Sequence, residues 1–324
     1  FSDNSLPTTW LDQTLVNAGY NIETVTYIIT PEAEYCNCVG PDSTYRFTVY
    51  PTPDLSNYPP DTSICNGETT GITLTSHVNN TLFTWTAVGS SLFISGYSDQ
   101  AVPTDILDHM LVNSGYDIET VTYTLTPSAN GCDGLDTNFV VTVYPVPDLS
   151  NFPASHNQCN NQPTNITLTS NVANTTFTWR AFASSPNITG FSDNTGPGET
   201  VIDQTLVNSG YDIDTVTYRL LPMANNCTGD SVDYRVVVFP TPDLTNNPAS
   251  QSQCNDLNTA ITLTSNVNNT TFTWTVTQPS GNVTGWVENS GPGVTNIDHT
   301  LLLAGWVNDS VVYHLTPSAN LCDG

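Results

Sequence analysis

The stretch "TVTYTLT", Thr120–Thr126, decides the fold class because apolar and polar residues alternate in it with a period of two. Successive side chains of a strand point to opposite faces, so Val121, Tyr123 and Leu125 face one way and the threonines face the other. Threonine is β-branched and uncharged, which suits the outer face of a strand. The stretch therefore predicts a β-strand with one buried face.

The same alternation recurs along the chain in short runs such as "NITLTS" (165–170), "TFTW" (176–179) and "NFVVTVYP" (138–145). About seven runs per copy are separated by Asn, Gly, Pro and Ser, and no segment has a convincing helical period. This pattern predicts an all-β, two-sheet antiparallel sandwich of the immunoglobulin-like kind. Trp85, Trp179 and Trp274 lie in such runs, so we expect them in the core rather than on the surface as sugar platforms.

Long phrases recur as well. "VNSGYDIETVTY" (112–123) returns with small changes at 207–218 and 16–27, and "YPTPDL" (50–55) becomes "YPVPDL" at 144–149 and "FPTPDL" at 239–244. The period is about 95 residues, the size of one immunoglobulin-like module. In the repeated phrase, Gly115–Tyr116 is read as the turn that enters a strand, with Tyr116 akin to a tyrosine corner.

The periods predict four segments. Residues 51–144 and 145–239 are complete β-sandwich repeats, 1–50 is the C-terminal part of one, and 240–324 is one without its last strand. We expect the chain to continue in both directions, or neighbouring molecules to supply the missing strands. The proline-rich "PxPDL" segments are read as short, semi-rigid linkers, which predicts a rod of beads.

The charge balance excludes several classes of partner. Four arginines stand against thirty acidic residues, and the formal net charge is -26. Nucleic-acid affinity is built on neutralisation of phosphates by cations, so no nucleic-acid partner is expected. Since no run of eighteen apolar residues occurs, we also expect no membrane insertion in this part of the chain.

The cysteines occupy two recurring positions and indicate disulfides in an oxidising, extracellular place. Two pairings fit. The favoured one closes each module on itself, as Cys65–Cys132, Cys159–Cys227 and Cys254–Cys322. The other crosses each module boundary, as Cys36–Cys65, Cys132–Cys159 and Cys227–Cys254.

Nothing in the sequence indicates catalysis. The chain has no nucleophile elbow, zinc-protease motif, P-loop or dinucleotide fingerprint. His109 and His299 align with Gln13 and Gln204 in other copies, so we expect them to be polar surface residues rather than ligands. The prediction is a protein that is not an enzyme.

Recurring acidic residues make calcium the one candidate cofactor. Calcium takes six to eight oxygen ligands, which linker and loop carboxylates could provide. The alternative is that these groups keep a nearly cation-free protein soluble and cap turns. The candidate ligands are Asp54, Asp148, Asp243, Glu119, Asp214 and Asp136.

Together the segments "ICNGETTGITLTS", "FTWT", "TVTYTLTPSANGCDG" and "VVTVYPVPDL" resemble the PKD-like and immunoglobulin-like repeats of giant Bacteroidota surface proteins, including gliding-motility adhesins. The resemblance covers essentially the whole chain, although no "WDFGDG" follows the tryptophans. It implies secretion, attachment to the cell surface and a stalk, adhesin or filament role. It also implies possible O-glycosylation at Asp-Ser/Thr-aliphatic sites, here Thr215, Ser231 and Ser310. Sequons add Asn165 and Asn174 as candidate N-glycosylation sites.

The sequence thus predicts the repeat region of a long extracellular adhesin or cell-surface filament that serves as a spacer or fibre scaffold. The expected partners are other copies of the chain and further repeats of the same chain, with surface glycans as a further candidate. An array of calcium-dependent or carbohydrate-binding adhesive modules is the alternative.

Overall fold

A computed structural model of the chain describes residues 8–57, 61–246, 249–278 and 280–324. It divides into two compact units, Phe1–Val146 and Pro147–Gly324. The first seven residues of the predicted segment 1–50 lie outside the described residues. Every element in the described part of the chain is a β-strand, and no helix there is long and apolar enough to cross a membrane. The all-β prediction is confirmed.

The first unit holds the N-terminal repeat fragment and the second repeat. The strands of the fragment are β1 (Glu23–Ile29), β2 (Glu32–Ala33), β3 (Cys38–Val39) and β4 (Ser43–Val49). Those of the second repeat are β5 (Asp61–Cys65), β6 (Ile72–Thr73), β7 (Leu82–Gly89), β8 (Ile94–Ser95), β9 (Gln100–Thr104), β10 (Ile106–Leu107), β11 (Val112–Asn113), β12 (Glu119–Ala129), β13 (Cys132–Asp133) and β14 (Thr137–Tyr144).

The second repeat is a sandwich with one large sheet and one broken sheet. The large sheet has the order β5-β14-β12-β7-β9, and β13 pairs with the end of β12. Opposite it lie the short pairs β6–β10 and β8–β11. The core between them includes Leu107 from β10, Leu74 directly after β6, and Val121 and Val141 from the large sheet.

The alternation in "TVTYTLT" sets the burial of β12. Val121, Tyr123 and Leu125 are fully buried, as predicted, and so are Val141 and Val143 on the neighbouring β14. One pairing differs from the antiparallel expectation, because β5 runs parallel to β14 with Cys65 opposite Tyr144. A first strand that enters beside the last strand from the same end must run parallel to it.

The second unit holds the third and fourth repeats. The strands of the third are β15 (Ser155–Cys159), β16 (Gln162–Pro163), β17 (Ile166–Thr167), β18 (Thr176–Ala183), β19 (Ile188–Thr189), β20 (Asn194–Glu199), β21 (Val201–Ile202), β22 (Thr205–Asn208), β23 (Asp214–Ala224), β24 (Cys227–Thr228) and β25 (Val232–Phe239). Those of the fourth are β26 (Leu257–Asn258), β27 (Ile261–Thr262), β28 (Thr271–Thr277), β29 (Val283–Thr284), β30 (Asn289–Val294), β31 (Asn296–Ile297), β32 (Thr300–Leu303), β33 (Val312–Ala319) and β34 (Cys322–Asp323).

The third repeat has the same sheet order as the second and one more short strand, β16, in its second layer. Its large sheet has the order β15-β25-β23-β18-β20, and its second layer consists of β16-β22-β19 and β17–β21. In the fourth repeat the corresponding sheets are β30-β28-β33-β34, β26-β32-β29 and β27–β31. The predicted core tryptophans Trp85, Trp179 and Trp274 are 5–6% exposed. Each indole N–H donates to a backbone carbonyl, which satisfies the one polar group that burial would otherwise orphan.

Candidate functional site

The "PxPD" segments that join the repeats are not free linkers, because the second proline and the aspartate of each one pack against the repeat that follows. In each one the two prolines are buried, at positions 51 and 53, 145 and 147, and 240 and 242. Proline has no backbone N–H that burial could leave without a hydrogen-bond partner, and its φ is fixed. A buried extended segment therefore tolerates it well. The segments are therefore part of the sandwich edge, and the prediction of a semi-rigid linker describes only how the chain enters it.

Each of these segments ends in an aspartate, which accepts hydrogen bonds from a turn in the repeat that follows. The Oδ1 of Asp148 accepts hydrogen bonds from Ser170 Oγ at 2.7 Å and from the Asn171 backbone N–H at 2.8 Å. Its Oδ2 accepts one from Asn171 Nδ2 at 2.5 Å. We call this arrangement the aspartate clasp. Charge-assisted bonds of this kind are the strong ones, so the clasp fixes where the repeat begins.

The aspartate clasp recurs in all three repeats that start within the chain. Asp243 bonds Ser265 and Asn266 in the same way, at 2.7 and 2.8 Å. In the second repeat Asp54 bonds Ser76, and His77 takes the place of the asparagine with Nδ1 at 2.7 Å from Asp54 Oδ2. Sequence reasoning missed these partners. The signal was a Ser-Asn or Ser-His pair that follows the aspartate at the same distance in every copy.

The clasp also changes the acidity of its carboxylates. Partial burial raises the pKa of Asp148, but the hydrogen bonds from Ser170 and Asn171 outweigh burial and hold the pKa below its ordinary value. The pKa values of Asp54 and Asp243 are lowered for the same reasons. These groups are therefore ionised at neutral pH and stabilise the clasp in that form.

A glycine late in each repeat packs against the start of the same repeat. A Cβ built on Gly229 would lie 1.9 Å from the carbonyl oxygen of Pro147, so no other residue fits there. Gly134 stands in the same relation to Pro53, and Gly324 to Pro242. This contact places the loop that contains Cys227, and its counterparts, at the end of the repeat where the chain enters.

The recurring phrase "VNSGYD" is a scaffold element that a buried asparagine holds together. Asn208 is 2% exposed, and its Nδ2 donates to the carbonyls of Asp212 and Val238. Its Oδ1 accepts the Gly210 N–H at 2.9 Å. The predicted turn at Gly115–Tyr116 is present, but Tyr116 is not a tyrosine corner because its side chain is 55% exposed. The asparagine beside the turn makes those bonds to the backbone instead.

The buried tyrosine of each repeat is the one in "TVTY", and its hydroxyl meets the histidine position. Tyr123 Oη lies 2.9 Å from His109 Nδ1, and Tyr313 Oη lies 2.8 Å from His299 Nδ1. In the third repeat Tyr218 donates to Gln204 Oε1 at 2.8 Å. His109 and His299 are therefore half-buried partners of the core rather than plain surface residues. Burial lowers the pKa of both, and the neighbouring Asp108 and Asp298 offset only part of that effect.

The two cysteine positions lie at opposite ends of a repeat. Cys159 ends β15 opposite Phe239, where the third repeat stops, whereas Cys227 follows β23 at the entry end. The 11-residue β23 spans the distance between those ends, about 35 Å at the rise of a strand. A disulfide needs Cα atoms about 4.4–6.8 Å apart. A bond within the module is therefore excluded by the register.

The structure pairs Cys159 with Cys322, across the boundary between the third and fourth repeats. The Sγ atoms are 2.04 Å apart and the Cα atoms 5.6 Å apart. Both predicted schemes are wrong for these cysteines, since Cys159 was assigned to Cys227 or to Cys132, and Cys322 to Cys254. The physical reason is that the exit end of the third repeat meets the entry end of the fourth.

The remaining cysteines also depart from the predicted schemes. Cys36 is bonded to Cys38, so it does not pair with Cys65 as the boundary-crossing scheme required. Among the described cysteines, Cys132 and Cys254 are free, and Cys254 is exposed. The pairs Cys65–Cys132 and Cys227–Cys254 are therefore not formed. Disulfides of this kind persist in oxidising, extracellular surroundings.

The candidate calcium ligands are dispersed. No group of three or more His, Cys, Asp or Glu side chains that could hold a metal ion occurs among the described residues. The clasp carboxylates face hydrogen-bond donors. Asp214 is 7% exposed and accepts hydrogen bonds from Ser184 and Ser185, and Glu119 accepts one from Ser90. Asp136 accepts one from Thr126 at 2.6 Å. Calcium binding by these residues stays a prediction.

The candidate glycosylation sites differ in access. Ser231 and Ser310 are exposed, and Thr215 is half-buried on β23. Asn165 and Asn174 are exposed, and both have a positive φ. A glycan on either residue would have to be compatible with that turn conformation. Glycosylation at the five positions stays a prediction.

Comparison with known proteins gives the family. The PKD-like domain model matches the chain four times, at residues 5–53, 62–147, 156–242 and 251–324. The chain belongs to the PKD-like domain family, and this part of the resemblance is confirmed. No curated protein matches it.

Several solved structures with tandem domains are similar to the chain at low identity. The I-band fragment I67–I69 from titin is 10% identical with a TM-score of 0.40, over 85% of this chain and 96% of that one. Drosophila N-cadherin EC1–4 is 9% identical with a TM-score of 0.27, over 95% and 82%. Human CDH23 EC21–23 is 10% identical with a TM-score of 0.30, over 84% and 97%. Tandem PKD-like repeats are typically structural rather than enzymatic domains.

Proposed function

We propose that this chain is the repeat region of a long extracellular adhesin or cell-surface filament, in which it serves as a spacer. The observation that carries the proposal is the construction of the boundary between the third and fourth repeats. The entry segment is fixed to the fourth repeat by Asp243, and a disulfide joins Cys159 of the third repeat to Cys322 of the fourth. Nothing of this kind is needed for catalysis, whereas a spacer requires firmly joined repeats.

The arrangement of side chains supports a scaffold over a binding module. The three tryptophans of the "FTW" strands are buried and bonded to carbonyls, so they offer no platform on which a sugar could stack. The recurring acidic residues accept hydrogen bonds from serine, threonine and asparagine donors. These acidic residues therefore have a structural role, because their hydrogen bonds stabilise the sandwich.

Other copies of the chain are the partners that we propose for a filament, and surface glycans are a second class. Only 10% of the residues of the chain are charged and threonine and asparagine are frequent, a composition that suits close packing between like molecules. The net charge of -26 disfavours nucleic acids and anionic membrane surfaces, and like copies would have to pack where salt screens the negative charge that they share. We propose that the protein is attached to the cell surface, as its resemblance to Bacteroidota adhesins implies.

The spacer proposal is tested by the length of the molecule. A variant of the full chain in which residues 145–239 are duplicated is compared with the parent by negative-stain electron microscopy. We expect the end-to-end length to rise by about 35 Å, the span of an 11-residue strand. A length that does not increase with the added repeat would overturn the proposal.

A further inference from the structure

We propose that copies of this chain join head to tail. Strand β4 of one copy would pair with the open edge of β33 in the fourth repeat of another, and Cys132 of the first copy would form a disulfide with Cys254 of the second. The inference deepens the proposed filament role and rests on it, because it names the surfaces through which like copies associate. The occupant of the open edge is therefore a second copy of the chain.

The acceptor is the edge of β33 that points away from β28. In the third repeat β25 covers the equivalent edge of β23. Among the described residues, this edge of β33 pairs only with the two-residue β34. Tyr313 and Leu315 on β33 are half-buried, whereas Tyr218 and Leu220 at the same positions of β23 are fully buried. An unpaired edge beside exposed apolar side chains is a template for a further strand.

The donor is β4, which has one strand neighbour in its own copy. Within the described residues it pairs only with β1, and an isolated two-stranded sheet is marginally stable in water. Its apolar face is open, because Tyr45 is 57% exposed and Phe47 is 39% exposed. Docked on β33 in the register of β25 on β23, Tyr45 would lie opposite Tyr313 and Phe47 opposite Val311. Their counterparts on β25 belong to the core of the third repeat, so docking would bury both rings.

Docking of β4 would also order the segment that ends in Cys254. In the third repeat β15 runs parallel to β25 and places Cys159 opposite Phe239. The equivalent residues 250–254 of the fourth repeat form no strand, and Cys254 is an exposed free thiol. With β4 beside them, these residues gain the neighbour that β15 has, and Cys254 would lie opposite Tyr50.

The second free thiol, Cys132, lies where a disulfide to Cys254 requires it. Strand β4 leads directly into the entry segment of the second repeat, and Gly134, two residues after Cys132, packs against that segment. Once β4 has completed the fourth repeat of another copy, the exit end with Cys254 faces the entry end with Cys132. The third and fourth repeats meet in this way, and their cysteines at the same two positions, Cys159 and Cys322, are bonded.

The exit end of the fourth repeat also offers a tryptophan to this contact. Trp306 occupies the position of Tyr20 in the repeated phrase, and its side chain is fully exposed. Tyr20 stacks on His77 of the second repeat with 4.7 Å between the ring centroids. Since β4 would bring the second repeat to the fourth repeat of another copy, Trp306 would take the place of Tyr20 on His77.

The disulfide between copies forms in two exchange steps with a low-molecular-weight disulfide, for which oxidised glutathione is the test reagent. The exposed Cys254 thiolate attacks one glutathione sulfur and releases one reduced glutathione. The Cys132 thiolate of the next copy then attacks Cys254 Sγ and releases the second. Two protein thiols are oxidised, one glutathione disulfide is reduced, and the two thiol protons end on the released glutathiones.

Covalent assembly of the full chain with oxidised glutathione tests the inference, in about 0.15 M salt so that the charge shared by the copies is screened. We expect the parent to give a ladder of dimers, trimers and larger species on non-reducing gels. Cys132→Ser and Cys254→Ser each keep one kind of end, so each should stay monomeric. A mixture of the two variants should give a dimer and nothing larger. A single variant that dimerises as fast as the mixture, or a parent without a ladder, would overturn the inference.

A pair of strand variants separates strand exchange from chance encounters of two thiols. Phe47→Asp places a charge on the face of β4 that meets the core, and Thr48→Asp places one on its opposite face. We expect the ladder to be lost in Phe47→Asp and retained in Thr48→Asp, and equal ladders in the two would overturn the inference. The mixing measurement needs no change in β4, so it decides the matter even if Phe47→Asp fails to fold. The spacer proposal would survive a negative result, since the length of a single molecule with a duplicated repeat does not depend on assembly.

Discussion

The carbonyl oxygen of Pro147 occupies the space that a side chain on residue 229 would need. A Cβ built on Gly229 would lie 1.9 Å from that oxygen and 2.9 Å from Pro222 Cγ. Both neighbours are prolines with restricted backbones, so neither can move aside at low cost. The entry of the third repeat and the loop that contains Cys227 are therefore in direct backbone contact.

We expect Gly229→Ala to destabilise the third repeat by about 1–3 kcal/mol, because overpacking forces a backbone shift. The change is measured as a shift of the urea midpoint. Gly196→Ala is the matched control, since its Cβ would find its nearest neighbour at 3.7 Å. Equal midpoints for the two variants would mean that the contact has no structural role.

The aspartate clasp should be visible as a loss of stability when its carboxylate is removed. We expect Asp148→Ala to cost about 1–3 kcal/mol, because Ser170 and Asn171 lose charge-assisted hydrogen bonds. Asp203→Ala, at an exposed aspartate of the same repeat, should change the urea midpoint little. The clasp is not a stabilising feature if the two variants unfold at the same concentration.

The clasp also predicts the direction of one pH effect. The pKa of Asp148 in the folded protein lies below its ordinary value, so its contribution is complete above the pKa of the unfolded state, about 3.9. That contribution is lost as pH falls through the folded value. We expect the stability difference between the parent and Asp148→Ala to be largest near neutral pH and to vanish in strong acid. A difference that grows with acidity would contradict the assigned role.

The half-buried histidines should make stability depend on pH in a second range, which lies above that of the aspartate clasp. Burial lowers the folded pKa of His109 and His299, so the unfolded state takes up protons first as pH falls below about 6.5. The stability that is present above pH about 6.5 is therefore lost as pH falls toward the folded pKa of the two histidines. We expect His109→Gln/His299→Gln to reduce the loss of melting temperature between neutral pH and pH about 5.

The third repeat supplies the model for this substitution, because Gln204 already bonds the Tyr218 hydroxyl there at 2.8 Å. His314→Gln, at an exposed histidine, is the control and should leave the acid dependence as it is in the parent. An unchanged pH profile in the double variant would show that the histidines do not act as described.

Calcium gives a prediction that separates scaffold from ligand. The oxygens of Asp54, Asp148 and Asp243 already accept hydrogen bonds from donors within their repeats, which calcium would have to displace. We expect the melting temperature to be the same with millimolar calcium and with a chelator. A large rise with calcium would support the alternative of calcium-dependent adhesive modules.

Local patterns predicted the fold well. The alternation of Val121, Tyr123 and Leu125 identified both the strand and its buried face, since a period of two has one structural meaning. The recurrence of the "FTW" strands likewise placed Trp85, Trp179 and Trp274 in the core. The fold followed because each of these signals lies within a few residues of sequence.

The boundary could not be predicted in the same way. The partner of Cys159 depends on which end of the sandwich each cysteine reaches, and this follows from the parallel pairing of β15 with β25. Alternation patterns do not show strand direction, so the two predicted schemes treated both cysteine positions as neighbours. The His109–Tyr123 contact was missed for a related reason, because a residue outside the alternating runs carries no signal of its inward face.

Peptide mapping without reduction tests the central claim, that a disulfide crosses the boundary between the third and fourth repeats. Cleavage before aspartate separates all of the relevant cysteines, since residues 148–192 contain only Cys159, residues 309–322 only Cys322 and residues 214–229 only Cys227. We predict that 148–192 is recovered linked to 309–322 and that reduction separates the two. Recovery of 148–192 linked to 214–229 would contradict the account, because it would close the third repeat on itself.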